Sequence, residues 1–195
     1  MVLPPGTPRA LYVAAGAVVA NGRTIAQDDG LTAMGELGLE AGAEGAAIWR
    51  FELTDTAADP VFFGGRGAVI LEGAVDRALL DAGALIRLDS VAFPPGGAAL
   101  LHIHQGPGIR RLSEGTIRID TEGRSSSYGP GGAWFEAGPE PVFAQAAATA
   151  ASRFIRAMIL PRSLAGISSI QYVREEDRDK PKTQTYRGFG ETLLG

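Results

Sequence analysis

Apolar and polar residues alternate along much of this 195-residue chain, with the two-residue period of strands that bury one face. The segment AAIWRFELT from Ala46 shows it early, alternating from Ile48 to Leu53. Further strand-like runs fall at 84–93, 98–104, 109–112, 115–120, 124–128, 132–136, 141–145 and 152–160, and 183–189 (TQTYRGF) reads as a last strand. Turn signals separate them: Pro94-Pro95-Gly96-Gly97, Gln105-Gly106-Pro107-Gly108, Glu122-Gly123, Gly129-Pro130-Gly131-Gly132 and Gly138-Pro139. Short strands punctuated by Gly and Pro predict an antiparallel sandwich or barrel. No strand–helix alternation supports a parallel sheet.

Elsewhere the pattern is thinner. A loop is expected around Asp59-Pro60, a strand near Ala68–Glu72 and a short helix over 75–82. Residues 1–45 are rich in Gly and Ala and predict one strand plus loops. The apolar run Ala10–Ala20 has the length of a signal-peptide core. We read it as a strand ended by the turn Asn21-Gly22, because the proline-rich segment before it carries one arginine and no lysine. The charged stretch 174–182 (REEDRDKPK) reads as a solvated loop. No internal repeat is present, so one barrel is expected: 1–45 as an N-terminal extension and 46–195 as the barrel, its core at 84–161.

Composition narrows the function classes. The 27 glycines and 12 prolines supply the turns. A net charge of −4 without a basic run disfavours a nucleic-acid partner. No run approaches the roughly 18 apolar residues of a membrane span, so no membrane partner is expected. The absence of cysteine excludes disulfides, thiolate ligands and cysteine nucleophiles. A cytoplasmic location is expected, with secretion or the periplasm left open.

His102 and His104 are the only histidines. Two positions apart on a strand, they project to one face, with Ile103 on the other. Two neutral imidazoles so placed can share one divalent metal. The segment Gly96–Gly115 (GGAALLHIHQGPGIRRLSEG) resembles the first motif of the cupin superfamily, G-x5-H-x-H-x3,4-E-x6-G. That resemblance implies an all-β double-stranded β-helix (a jelly-roll or cupin barrel), with extra terminal strands. It further implies a small organic ligand and one transition metal (Fe, Mn, Zn or Ni) on His102 and His104.

The departures are specific. Gly108 stands where the pattern has its metal-binding glutamate. Of the second motif, G-x5-P-x-G-x2-H-x3-N, only Gly131 remains; Ala137, Pro139, Val142 and Ala146 replace the proline, glycine, histidine and asparagine. A third ligand would have to come from Glu136, Gln105 or water, and both side chains read first as surface or turn residues.

Three candidates join the histidines as substrate-binding residues. Arg110 enters the barrel if its strand is regular and could pair a carboxylate or phosphate. A bulge would leave Arg110 and Arg111 in solvent, the reading the sequence favours. Trp134 and Phe135 must face opposite sides of their strand, and Tyr128 could stand at the barrel mouth. Arg153 and Arg156 have opposite parity, so at most one faces a cavity. The function classes are a metal-associated small-molecule site, a non-catalytic or vestigial binding barrel without metal, and a metal-free enzyme using histidine as general acid/base. No catalytic residue is assigned, and a homodimer is expected.

Overall fold

The computed structural model describes residues 1–55 and 65–195; the loop expected around Asp59-Pro60 lies outside them. The N-terminal part forms β1 (Val2–Leu3), β2 (Arg9–Ala20), β3 (Arg23–Ala26), β4 (Gly30–Ala33) and β5 (Leu37–Glu52). After α1 (Arg77–Asp81) come β6 (Ala84–Phe93), β7 (Ala98–His104), β8 (Gly108–Glu114), β9 (Ile117–Thr121) and β10 (Arg124–Tyr128). The chain continues through β11 (Ala133–Glu136), β12 (Val142–Ala146), β13 (Ser152–Pro161), β14 (Ile170–Tyr172) and β15 (Thr185–Leu193).

Two five-stranded antiparallel sheets, β10-β9-β12-β7-β14 and β11-β8-β13-β6-β15, enclose the interior in the expected jelly-roll. Inward residues of both meet in one cluster containing Val91, Phe93, Leu112, Ile117, Ile119, Trp134, Val142 and Phe154. The last strand completes a sheet edge within the chain by pairing with β6.

The third sheet corrects the reading of residues 1–45 as one strand plus loops. Strand β2 pairs with β3, β4 and β5, forming a layer with its own apolar cluster around Leu11, Val13, Ile25, Leu37 and Leu39. Small side chains hide it, since runs of Ala and Gly give little apolar–polar contrast. Register shifts within the β2–β5 ladder also interrupt the alternation. At one of them Gly16 has φ +72°, and a Cβ there would stand 2.2 Å from the Gly45 carbonyl oxygen, so only glycine fits. The expected division between residues 45 and 46 falls inside β5.

This layer covers the outer face of the β6–β13 sheet. Ile86, Leu88, Ile155, Ala157 and Ile159 pack there against Ala10, Tyr12, Ala14, Trp49 and Phe51. Two more expectations are revised. Ala68–Glu72 forms no strand; Val69 and Ile70 there are about half exposed. The charged stretch 174–182 is not wholly solvated: Asp177 is buried and ion-paired with Lys180 at 2.6 Å. Helix α1 forms where expected, capped by the Asp76 side chain on the Ala78 amide. Among the described residues no helix is long and apolar enough to cross a membrane.

Candidate functional site

The inward parity of the barrel strands gathers the polar groups. His102 and His104 project inward from β7 and are 4% exposed, while Ile103 lies on the opposite face. Arg110 follows from β8, which begins at Gly108 and keeps its alternation through Leu112. It is therefore buried inside, and the favoured solvated reading does not hold. Arg111 turns outward, its guanidinium 4.5 Å from the Trp49 ring.

Trp134 and Glu136 of β11 share the inner face. Their parity was the available signal: a strand that buries Trp134 must also turn the residue two positions on inward. Glu136 is thus an interior residue rather than a surface one, its side chain 12% exposed. Phe135 faces away and packs over Gly73. Gln105 lies at the bend after β7 and is not among the cavity-lining residues. Tyr128 stacks on Trp134, with ring centroids 4.7 Å apart, and packs against the core cluster rather than lining the cavity. Asp89 of β6 and Arg156 of β13 are further interior polar residues.

The contacts order this cluster. His102 Nδ1 lies 2.7 Å from the Leu100 carbonyl oxygen, which must accept; this fixes the proton on Nδ1 of the neutral ring and leaves Nε2 bare. His104 Nε2 then donates to His102 Nε2 at 3.2 Å. Arg156 grips Asp89 through two hydrogen bonds of 2.9 and 2.7 Å. Arg110 Nη1 donates to the Gly108 carbonyl at 2.6 Å, and its Nη2 lies 2.8 Å from Glu136 Oε2. The other Glu136 oxygen accepts from Trp134 Nε1 at 2.8 Å.

Burial keeps both imidazoles neutral. It pushes the His102 pKa down to about 4, against the Leu100 carbonyl and Glu136, which favour the protonated ring. His104 is held well below 6.5 by burial and then by the charges of Arg110 and Arg156. Burial also lowers the Arg110 pKa to about 10, so the guanidinium stays charged at neutral pH. The cavity measures about 20 Å³, room for a single water. Ile170 and the half-exposed Tyr186 line it alongside the polar groups.

The donor set can be tested against a divalent metal. The 3.2 Å between the two Nε2 atoms suits one ion, because nitrogens at about 2.0–2.1 Å from a tetrahedral zinc stand about 3.3 Å apart. The third corner is missing. Val142, at the motif's histidine position, pairs with His102 across the ladder and supplies no donor. Glu136 Oε2 is 3.5 Å from His104 Nε2 but is engaged by Arg110. Among the described residues no three His, Cys, Asp or Glu side chains are placed to hold a metal ion. His104 Nδ1 is buried without a partner, whereas a metal-bound imidazole normally passes its other N–H to an acceptor. The charges already cancel, Arg156 with Asp89 and Arg110 with Glu136. As arranged, these residues do not fit a divalent cation.

No protein-family model matches the chain, and no curated protein matches it. Solved structures do. Salicylate 1,2-dioxygenase from Pseudoaminobacter salicylatoxidans, as a G106A mutant in complex with gentisate, is similar at a TM-score of 0.52 and 15% identity, over 87% of this chain and 70% of that one. A second structure of a salicylate 1,2-dioxygenase from Pseudaminobacter salicylatoxidans gives 0.52 and 15%, over 88% and 72%. The polyketide cyclase RemF from Streptomyces resistomycificus is 21% identical over 46% of this chain, at a TM-score of 0.39, and the match spans 61% of that protein's length. At such identities the likeness to the two dioxygenase structures is one of fold.

Proposed function

We propose that this chain, which has the cupin fold, is a metal-independent small-molecule-binding barrel in which neutral His102 and His104 meet the ligand directly. The observation that carries this reading is the charge balance of the interior. Two arginines are matched by two carboxylates, the imidazoles are neutral, and a bare 2+ ion would stand uncompensated among buried side chains. A cavity of about 20 Å³ admits only the polar end of a ligand, a carbonyl, hydroxyl or carboxylate oxygen, with the body lying towards Ile170 and Tyr186. His104 Nδ1 carries no hydrogen bond, so it can accept one from a ligand O–H, and Trp134 bounds the same space. An anionic ligand end would compete with Glu136 for Arg110.

This reading is tested on protein purified without a histidine tag. Elemental analysis is expected to find no stoichiometric metal, and chelation is expected to leave the melting temperature unchanged. One Fe, Mn, Zn or Ni per chain would overturn it. Thermal shifts over a panel of small acids and aromatics, repeated on a His102→Ala/His104→Ala variant, are expected to give hits that the variant loses.

A second reading is favoured by the 3.2 Å imidazole spacing: a metal held by His102, His104 and a Glu136 released from Arg110. A metal so held would act as a Lewis acid towards a ligand oxygen.

A further inference from the structure

Four strands place the inward residues in rows across the sheet. One row runs Asp89, Arg156, Arg110, Trp134; the next carries Arg87, Met158, Gly108 and Glu136. Arg156 and Arg110 are thus direct cross-strand neighbours, and like charges in that position repel. Each needs its own carboxylate. Arg156 takes Asp89 within its row, and Arg110 reaches across into the next row, over Gly108, to Glu136.

We propose that the Arg110 guanidinium is the resident cation of this barrel, and that by engaging Glu136 it denies the His102–His104 pair a third ligand for a divalent metal. The inference rests on the metal-independent reading and supplies its cause. Gly108 makes the arrangement possible. A Cβ there would stand 3.1 Å from Arg110 Nη1, 2.8 Å from Met158 Cγ and 2.6 Å from the Ala157 carbonyl oxygen. The glutamate that the cupin pattern carries at this position therefore cannot be accommodated beside Arg110 in this backbone. The carboxylate comes instead from the directly opposite position on β11, since Glu136 pairs with Gly108.

The guanidinium is also anchored. It donates to the Gly108 carbonyl at 2.6 Å and is 1% exposed, so swinging away would strand a buried cation. Its contact with Glu136 is one of charge. Arg110 Nη2 and Glu136 Oε2 are 2.8 Å apart, yet neither makes a hydrogen bond. Glu136 Oε2 therefore keeps hydrogen-bonding capacity 3.5 Å from His104 Nε2. A metal on that oxygen would face the guanidinium at a few ångströms, where two cations repel strongly in a buried setting. With a neutral side chain at 110, the same oxygen is free to join the two imidazoles as a two-histidine, one-carboxylate set.

The test uses Co²⁺ as the probe, with equilibrium dialysis for metal per chain and visible absorption for its coordination. Wild type and Arg110→Lys, which keeps the charge, are expected to bind none stoichiometrically. Arg110→Gln is expected to bind one Co²⁺ per chain with a ligand-field band, on the order of a hundredfold more tightly than wild type. Adding Glu136→Gln or His102→Ala should abolish that gain. A folded Arg110→Gln variant no better than wild type would overturn the inference and leave the metal-independent reading standing. Stoichiometric Co²⁺ on wild type would sink the reading itself. Should Arg110→Gln be unfolded without metal, Co²⁺ is expected to restore its near-ultraviolet circular dichroism, and failure to do so counts against the inference.

Discussion

Strands β6 and β13 are buried on both faces, and only the inner face carries a buried ion pair among its apolar residues. Outward, Ile86, Leu88, Ile155 and Ile159 meet the N-terminal sheet in apolar contact. Inward, Val91, Phe93 and Phe154 share the face with Asp89 and Arg156, 6% and 5% exposed, and Arg156 lines the cavity with the histidine pair. Burial is equal but its worth is not. Apolar contact stabilises by about 25 cal/mol per Å² removed from water, whereas a buried ion pair roughly recovers its own desolvation cost. The outer face holds the layers together; the inner face keeps polar groups that an apolar filling would serve as well or better for stability. That contrast supports the proposed ligand site on the inner face.

Breaking the inner pair should have the largest effect. Asp89→Ala leaves Arg156 buried and uncompensated, and a loss of about 4 kcal/mol is expected in urea titration. Leu88→Ala, from a fully buried outer position, is expected to cost about 3 kcal/mol, as a cavity opens between the layers. A loss for Asp89→Ala well below that of Leu88→Ala would show that the interior is wetter than the contrast requires.

The histidines add a pH dependence. Unfolded His102 binds a proton below about 6.5, while the folded ring resists until about 4. Falling pH therefore favours the unfolded chain through that window. A His102→Gln variant should lose less stability there, by up to about 3 kcal/mol. Parallel curves for the two proteins would mean that the ring is protonated in the fold. Smallest of all should be the double replacement Asp89→Leu/Arg156→Met, expected within about 1 kcal/mol of wild type or above it, while ligand-induced thermal shifts are lost. A fall of several kcal/mol would assign the pair to stability instead.

The barrel core was legible because Gly and Pro turns bracket strands of regular parity; β6, β7, β10 and β13 fall within a residue of their predicted bounds. The N-terminal sheet was not, since Ala and Gly runs carry little contrast and β2 loses its parity at the register shifts against β5. In the site, the facing of His102 and His104 follows from a spacing of two. The interior place of Glu136 was within reach of the same rule applied from Trp134. What no local pattern contains is the meeting of Glu136 with Gly108, or of Arg110 with Arg156, because strand register between distant segments sets both. Sequence spacing located the cavity, and cross-strand pairing decided its charge.

The seating of β15 has a consequence for the order of assembly during translation. This strand pairs with β6 along nearly its whole length, and Thr192 meets Thr32 of β4 at 2.8 Å. A ribosome delivers its residues after every other strand described here. Until then the edge of β6 lies bare beside a finished N-terminal layer, and Tyr186 is absent from the cavity wall. A nascent chain therefore carries an open, pairing-prone edge until synthesis has passed residue 193, the interval in which such a sheet most needs shielding from other chains.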